Sequence, residues 1–256
     1  MTAILNQHEN YLQADQAYGF PLLIKNLLSR AKVVSGNKKI HYADKTSYTY
    51  HEFFKRVNRL ANVLKGLNLQ KGDVVAVMDW DTHRYLECYF AIPMCGYILQ
   101  TVNVRLSEDK VLYTINHAKP KALLLNSEFS PMIKSHTQDA PSVEHVIWLD
   151  DNNTPMPPYA QGEYEAMLAQ ASDEYEFEDF DENTIATTFY TSGTTGNPKG
   201  VFFSHRQIVL HTLVVAIGCA LNVEGQGLRY SDVYMPMTPM FHVHAWGFPF
   251  VATMLG

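Results

Sequence analysis

Four short apolar runs constrain the fold more than anything else in this chain: VVAVM (74–78), YILQTV (97–102), ALLLN (122–126) and HVIWLD (145–150). Each is continuously hydrophobic over the length of a strand rather than alternating, the pattern of a strand covered on both faces. Segments of helical spacing separate them. A helix is expected over 82–95, another from Ser107 to His117 behind a serine cap, and a weak one from Pro131 onward. Strand and helix in alternation predict an α/β fold: mostly parallel, doubly wound sheets with helices on both faces.

The flanks fit the same scheme. PLLIKNLLSRAKVV has helical spacing, and KKIHYA and SYTY read as short strands around a turn at Asp44 and Lys45. Thr49 and Glu52 have capping-box spacing ahead of a helix whose apolar face is Phe53, Phe54, Val57, Leu60, Ala61, Leu64 and Leu67. Downstream, TIATTFY and VFFSH read as strands, with a helix from about Arg206. The 14-residue apolar run from Ile208 to Leu221 is too short to span a bilayer and is expected to be a buried helix. A strand DVYMPM, a loop TPMFHVH and an apolar segment from Ala245 to Gly256 complete the chain.

Two polar stretches punctuate it. Residues 151–162 are loop by their prolines and asparagines, and the acidic run SDEYEFEDFDEN (172–183) reads as a solvated connector. The expected organisation is a first α/β subdomain with an N-terminal segment over 1–171, the connector at 172–183, and a glycine-rich-loop unit opening a second subdomain over 184–256. A hydrophobic content of 46% is ample for a core, and a net charge of −6 with no basic cluster argues against a nucleic-acid surface or a polybasic membrane patch. Cys88, Cys95 and Cys219 form no CxxC pair, and Cys88 and Cys95, seven apart on one helical face, read as two small core hydrophobes of a reducing compartment. The first residues carry no basic-then-apolar signal, and a cytoplasmic protein is expected.

Between TIATTFY and VFFSH lies the run TSGTTGNPKGV (191–201), with three glycines, four Ser/Thr hydroxyls, a proline and a lysine. Glycines let main-chain N–H groups converge on an anion, hydroxyls add donors, and a lysine supplies a point charge. A phosphate cradle and an ordinary hairpin loop both fit these properties. The spacing excludes two better-known cradles. Gly196 follows Gly193 after two residues, and Lys199 stands between Pro198 and Gly200, so neither the Walker A pattern nor GxGxxG is present.

Taken whole, YTSGTTGNPKGV closely resembles the signature of adenylate-forming (AMP-binding) enzymes, which include acyl-CoA synthetases, luciferases and peptide-synthetase adenylation domains. Other segments agree in order. SYTYHEFFKRVNRLANVLKGLNLQKGDVVAVM looks like the family's early helix and Gly-Asp turn, AIPMCGYILQTVNVRL is similar to its Val-Asn-x-Arg-Leu segment, and MPMTPMFHVHAWGFPF resembles its later Phe-His motif. Fatty-acyl-CoA synthetases are the nearest likeness, which runs from about residue 20 to the last.

The resemblance implies an ATP-dependent acid–CoA ligase that forms an acyl-adenylate and pyrophosphate and then the CoA ester. A medium- or long-chain fatty acid would be the substrate, with an aryl acid second. Thr191, Ser192, Gly193, Thr194, Thr195 and Gly196 would hold the β- and γ-phosphates of ATP, closed by Lys199, with Thr194 or Thr195 reaching Mg²⁺. His242 would orient the substrate carboxylate as the catalytic and acid-binding histidine. Trp246 would gate a hydrophobic acyl tunnel, the plainer alternative being a core tryptophan.

His242 and His244 also make an H-x-H pair which, on a strand, would share one face as half of a metal site, though no third ligand stands nearby. His244 replaces the asparagine expected there. His205, Arg206, Asn103 and Arg105 read as architectural, with Ser204 as a helix cap. The family's Tyr-Gly-x-Thr-Glu segment, ribose aspartate and distal lysine are not among these residues. The chain is therefore expected to be an N-terminal portion, inactive alone, with a homodimer left open. A non-catalytic nucleotide-binding module, or an enzyme handing its acyl group to a carrier protein or another acceptor, stay open as alternatives.

Overall fold

The structure is a computed structural model that describes residues 19–191, 196–221 and 227–256. A 3-10 turn, Ile24–Leu27, leads into α1 (Leu28–Val34), and β1 (Lys39–Tyr42) and β2 (Thr46–Thr49) form an antiparallel hairpin. α2 (Tyr50–Gly66) follows, then β3 (Val74–Met78), α3 (His83–Met94), β4 (Ile98–Thr101), α4 (Glu108–Ala118) and β5 (Ala122–Asn126). After a 3-10 turn come α5 (His136–Asp139), β6 (His145–Leu149), β7 (Gly162–Glu163) and α6 (Tyr164–Gln170). The chain ends with β8 (Ile185–Thr191), β9 (Lys199–Ser204), α7 (His205–Ala220), a 3-10 turn and α8 (Phe248–Leu255).

β3 to β9 form one seven-stranded sheet in the order β7-β6-β5-β3-β4-β8-β9. Every pairing is parallel except the β8–β9 hairpin, as the continuous apolar runs require. β5 is buried along its whole length. α3 is wrapped almost completely, with only Leu86 outside its buried set. The acidic stretch 172–183 forms no strand or helix. It runs back along α2, where the Asn62 amide donates to the Ser172 and Glu174 carbonyls at 2.8 and 2.9 Å and Lys55 pairs with Asp173 at 3.2 Å. Beyond it, β8 joins the same sheet beside β4.

Several details depart from expectation for physical reasons. Thr49 caps α2 by accepting from the Glu52 N–H at 3.2 Å, but Glu52 binds Arg59 at 2.7 Å instead of closing the box. The complete capping box is at α7, where Ser204 and Gln207 exchange bonds. The Asn126 side chain caps the turn after β5, so a 3-10 segment, Ser127–Met132, encloses Pro131 and the expected helix shrinks to α5. DVYMPM forms no strand. Pro236 offers no N–H to a ladder, and Val233, Met235 and Met237 lie exposed. α6 and β7 went unpredicted because only Tyr164 and Leu168 of the helix are buried, too few to set a period.

α7 is the largest departure. It packs through Ile208, Val209, Thr212 and Ala216, while Leu210, Leu213, Val214, Ile217 and Leu221 are exposed. A helix apolar on every side carries no period from which to choose a face. No helix among the described residues is long and apolar enough to cross a membrane.

Candidate active site at the carboxyl edge of the sheet

Ligands of open α/β sheets bind beyond the carboxyl ends of the strands, most often where the strand order reverses. Here that crevice lies between β3 and β5, and a buried polar network fills it. Asp79, directly after β3, accepts from the Asn126 amide at 2.6 Å, the Thr82 hydroxyl at 2.5 Å and the Trp80 N–H at 2.9 Å. Arg84 reaches over to Asp151 at 2.9 Å, and Tyr42 donates to the same carboxylate at 2.7 Å. Burial pushes the Asp79 carboxyl up to about 6, against the opposing pull of Arg84 and its hydrogen bonds. With this crevice occupied, the carboxyl edge on the β4–β8 side is the one left to hold a site.

Two features converge there. The first is the β8–β9 hairpin, whose antiparallel register brings Thr191 opposite Lys199. Thr191 and Lys199 therefore stand at the mouth of the glycine-rich loop, with Lys199 exposed. Gly196 has φ of 101°, a left-handed conformation that a side chain would strain. Gly200 passes so close to the Tyr190 ring that a Cβ would lie 3.4 Å from it. Ser192, Gly193, Thr194 and Thr195 lie outside the described residues, and with them the expected Mg²⁺ contact and most of the cradle. What is described fits a polyphosphate: an exposed lysine and a hydroxyl paired across the open end of a hairpin.

The second feature is the turn 239–247, which carries FHVHAW. Val243, His244, Ala245 and Trp246 have φ of 48°, 52°, 47° and 57°, and Gly247 follows at 75°. Four consecutive non-glycine residues in the left-handed region cost about 1–2 kcal/mol each, so neighbouring structure must impose the shape. This geometry separates the two histidines. His242 is exposed, whereas His244 is 4% exposed, so they share neither a strand nor a face. The His244 ring stands perpendicular to Phe189 at 4.9 Å and Tyr89 at 5.8 Å, with Phe203 also against it. Burial alone pushes it down to about 3, so it is a neutral aromatic plug. Among the described residues no group of three His, Cys, Asp or Glu is placed to hold a metal.

Trp246 is 60% exposed, so it is not part of the core that the described residues form. His205 is buried and accepts from the Ile24 N–H through Nδ1 at 3.3 Å, and Arg206 pairs with Glu182, both in architectural roles. Asn103 accepts from the Arg105 N–H at 3.0 Å, and the Arg105 guanidinium lies 5.9 Å from the Phe241 ring.

The residues that hold the turn escaped the motif reading. Asp81 accepts from the Met240 N–H at 2.7 Å, Tyr89 donates to the Met240 carbonyl, and Thr101 donates to the Phe241 carbonyl at 3.3 Å. From α7, His211 donates to the Trp246 carbonyl at 3.0 Å, and its ring occupies the space a Cβ on Gly247 would need, 2.7 Å away. Two signals were available. Asp79 and Asp81 sit just past the carboxyl end of a buried strand, and His211 interrupts an otherwise apolar helix.

Comparison with known proteins agrees with this fold. The chain is 35% identical over 241 residues to a medium-chain-fatty-acid–CoA ligase of Ectopseudomonas oleovorans, covering 92% of this chain and 43% of that protein. It is 35% identical over 235 residues to a long-chain-fatty-acid–CoA ligase of Thermus thermophilus, covering 90% and 41%. The fold matches the crystal structure of the anthranilate CoA ligase AuaEII in complex with anthranoyl-AMP, with a TM-score of 0.79 and 24% identity over 91% of this chain and 44% of that one. The chain thus spans less than half the length of each of these relatives. The family model for the AMP-binding enzyme matches residues 29–256, nearly the whole of the described fold, and this chain belongs to that family.

Proposed function

We propose that the intact protein activates a carboxylic acid with ATP and passes the acyl group to CoA, with a medium- or long-chain fatty acid as substrate. In the first step a carboxylate oxygen attacks the α-phosphorus, and the bond to the β-phosphate oxygen breaks to release pyrophosphate. In the second the CoA sulfur attacks the acyl carbonyl and AMP leaves. Attacking carboxylate and triphosphate repel each other, so donors must be in place before reaction. In this reading Thr191, Ser192, Gly193, Thr194, Thr195, Gly196 and Lys199 hold the departing pyrophosphate, with Thr194 or Thr195 toward Mg²⁺. The metal, when bound, neutralises phosphate charge. His242 orients the carboxylate, and Trp246 flanks the acyl chain.

One observation carries this reading: His244 is lodged against Phe189 of β8 and Phe203 of β9, the two strands that deliver the glycine-rich loop. The acid-side turn and the phosphate-side hairpin are thereby one packed unit, with His242 and Trp246 on its exposed side. The likeness to fatty-acid ligases supports an aliphatic acid, and the fold shared with an anthranilate ligase makes an aryl acid the second choice. The 256 residues alone are not expected to turn over.

Acid-dependent ATP–pyrophosphate exchange by the intact protein tests this directly, across aliphatic acids of increasing length and a set of aryl acids. Exchange should peak with medium or long aliphatic acids. Lys199→Ala should lower the rate by about 100-fold, the usual loss for one transition-state charge partner. Absence of exchange with every acid would sink the proposal.

A further inference from the structure

We infer that Asp81, Tyr89 and His211 are positioning residues that impose the left-handed turn, and that His211 sets the pose of Trp246. This rests on the acid-activation reading above, since the turn carries both acid-side residues. Both backbone polar groups of Met240 are gripped from α3 and the loop before it, the N–H by Asp81 and the carbonyl by Tyr89. Thr101 holds the next carbonyl, that of Phe241. At the far end the Trp246 carbonyl is held by His211. Between these anchors lie four residues with side chains in a conformation that their own sequence does not favour.

The partners come from distant parts of the chain. Asp81 and Met240 are 159 residues apart, Tyr89 and Met240 151, and Thr101 and Phe241 140. The turn's shape is therefore a tertiary product, and loosening one anchor frees the segment it holds. His211 has a second hold, because its ring fills the space beside Gly247, where the chain leaves the turn for α8. It also lies on the helix that begins immediately after β9, so α7 joins the end of the phosphate hairpin to the acid-side turn.

A ring nitrogen that binds a carbonyl oxygen must carry a hydrogen. Nε2–H supplies it here, and a side-chain amide could supply one in its place. A positioning role is thereby separable from acid–base catalysis.

The test compares His211→Ala with His211→Gln, and Asp81→Ala with Asp81→Asn, in the intact protein. Two readouts are taken: amide hydrogen exchange over 239–247, and acid and ATP KM values in the pyrophosphate-exchange assay. His211→Ala should speed amide exchange at 243–247 by about tenfold, the worth of one hydrogen bond, and raise the acid KM by a similar factor. The ATP KM should stay within about twofold. His211→Gln, which keeps an N–H donor, should recover most of the loss. Asp81→Asn, whose carbonyl oxygen still accepts, should likewise outperform Asp81→Ala. Unchanged amide exchange in His211→Ala, glutamine no better than alanine, or an ATP KM that rises with the acid KM would each overturn the inference. The amide-exchange arm needs no turnover, so it still decides the matter if no acid proves to be a substrate.

Discussion

Lowering the pH from 7 to 4 is expected to remove roughly 4 kcal/mol of folding stability, with buried histidines as the main cause. His244 is walled by aromatic rings and held down to about 3, and burial pushes His205 down to about 4. Protonating His205 at Nδ1 would also sever its bond from the Ile24 N–H. Both native pKa values lie below the unfolded value of 6.5, so the unfolded chain binds these protons first. Stability is therefore full above the unfolded value and is lost as pH falls toward the folded ones, at about 1.4 kcal/mol per pH unit for each ring.

Asp79 works the other way. Its folded value of about 6 lies above the unfolded 3.8, so the native state takes up a proton first and regains stability as pH falls through that window. Glu165 adds to the loss lower down. Its salt bridge with Arg56 and bond to His83 outweigh burial and hold it down to about 2, so its contribution disappears as pH falls below 4.5. The balance favours acid lability, and it would consume a large share of the stability of an ordinary domain. Urea midpoints at pH 7, 5.5 and 4 should fall steadily, and His244→Asn should flatten the slope. A midpoint that stays level from pH 7 to 4 would rule the account out.

Glu87→Ala is expected to cost about 3–5 kcal/mol, the penalty for stripping a buried cation of its partner. Glu87 is fully buried on α3 and satisfies four donor contacts at once. Its Oε1 accepts from Tyr48 at 2.6 Å and from Arg56 Nε at 2.7 Å, and its Oε2 accepts from Tyr164 at 2.6 Å and from the Arg56 guanidinium at 3.3 Å. Removing the carboxylate strands two hydroxyls and leaves Arg56 with Glu165 alone. Glu165, with a side chain 40% exposed, is the useful contrast, because water can replace it. Glu165→Ala should cost clearly less than Glu87→Ala. Thermal unfolding of the two variants decides the point, and a Glu87→Ala penalty below that of Glu165→Ala would show that the network is held together elsewhere.

The parallel sheet was legible because its inner strands are buried on both faces and must be apolar throughout, as β3, β5 and β6 are. α2 was equally plain, since one face meets the core and the other meets water. Legibility failed where context decides. α7 is apolar all round, so its sequence names no buried face, and DVYMPM has strand-like residues but Pro236 within it.

The site divides along the same line. Thr191 and Lys199 came from a motif of fixed spacing, and the structure places them opposite each other. For His242 and His244 the local pattern misled, because a left-handed turn sends one outward and the other into an aromatic box. Asp81, Tyr89 and His211 act on residues 159, 151 and 35 positions away. Nothing in a linear reading joins Asp81 to Met240 before the fold does.

The wrapping of α3 has a consequence for the order in which the chain can be made. Glu87 waits for Tyr164, and Tyr89 and Phe90 wait for Phe250, which lies 5.3 and 5.4 Å from their rings. During synthesis, which delivers residues at roughly 5–20 per second, α3 leaves the ribosome many seconds before its last partners exist. For that interval its tyrosines, its phenylalanine and a carboxylate that ends fully buried stand open to water and to other chains. The strands on either side can pair early, but the helix between them becomes native only when the segment carrying Phe250 arrives. Among the described helices, one of the most fully wrapped is thus one that stays long exposed in the growing chain.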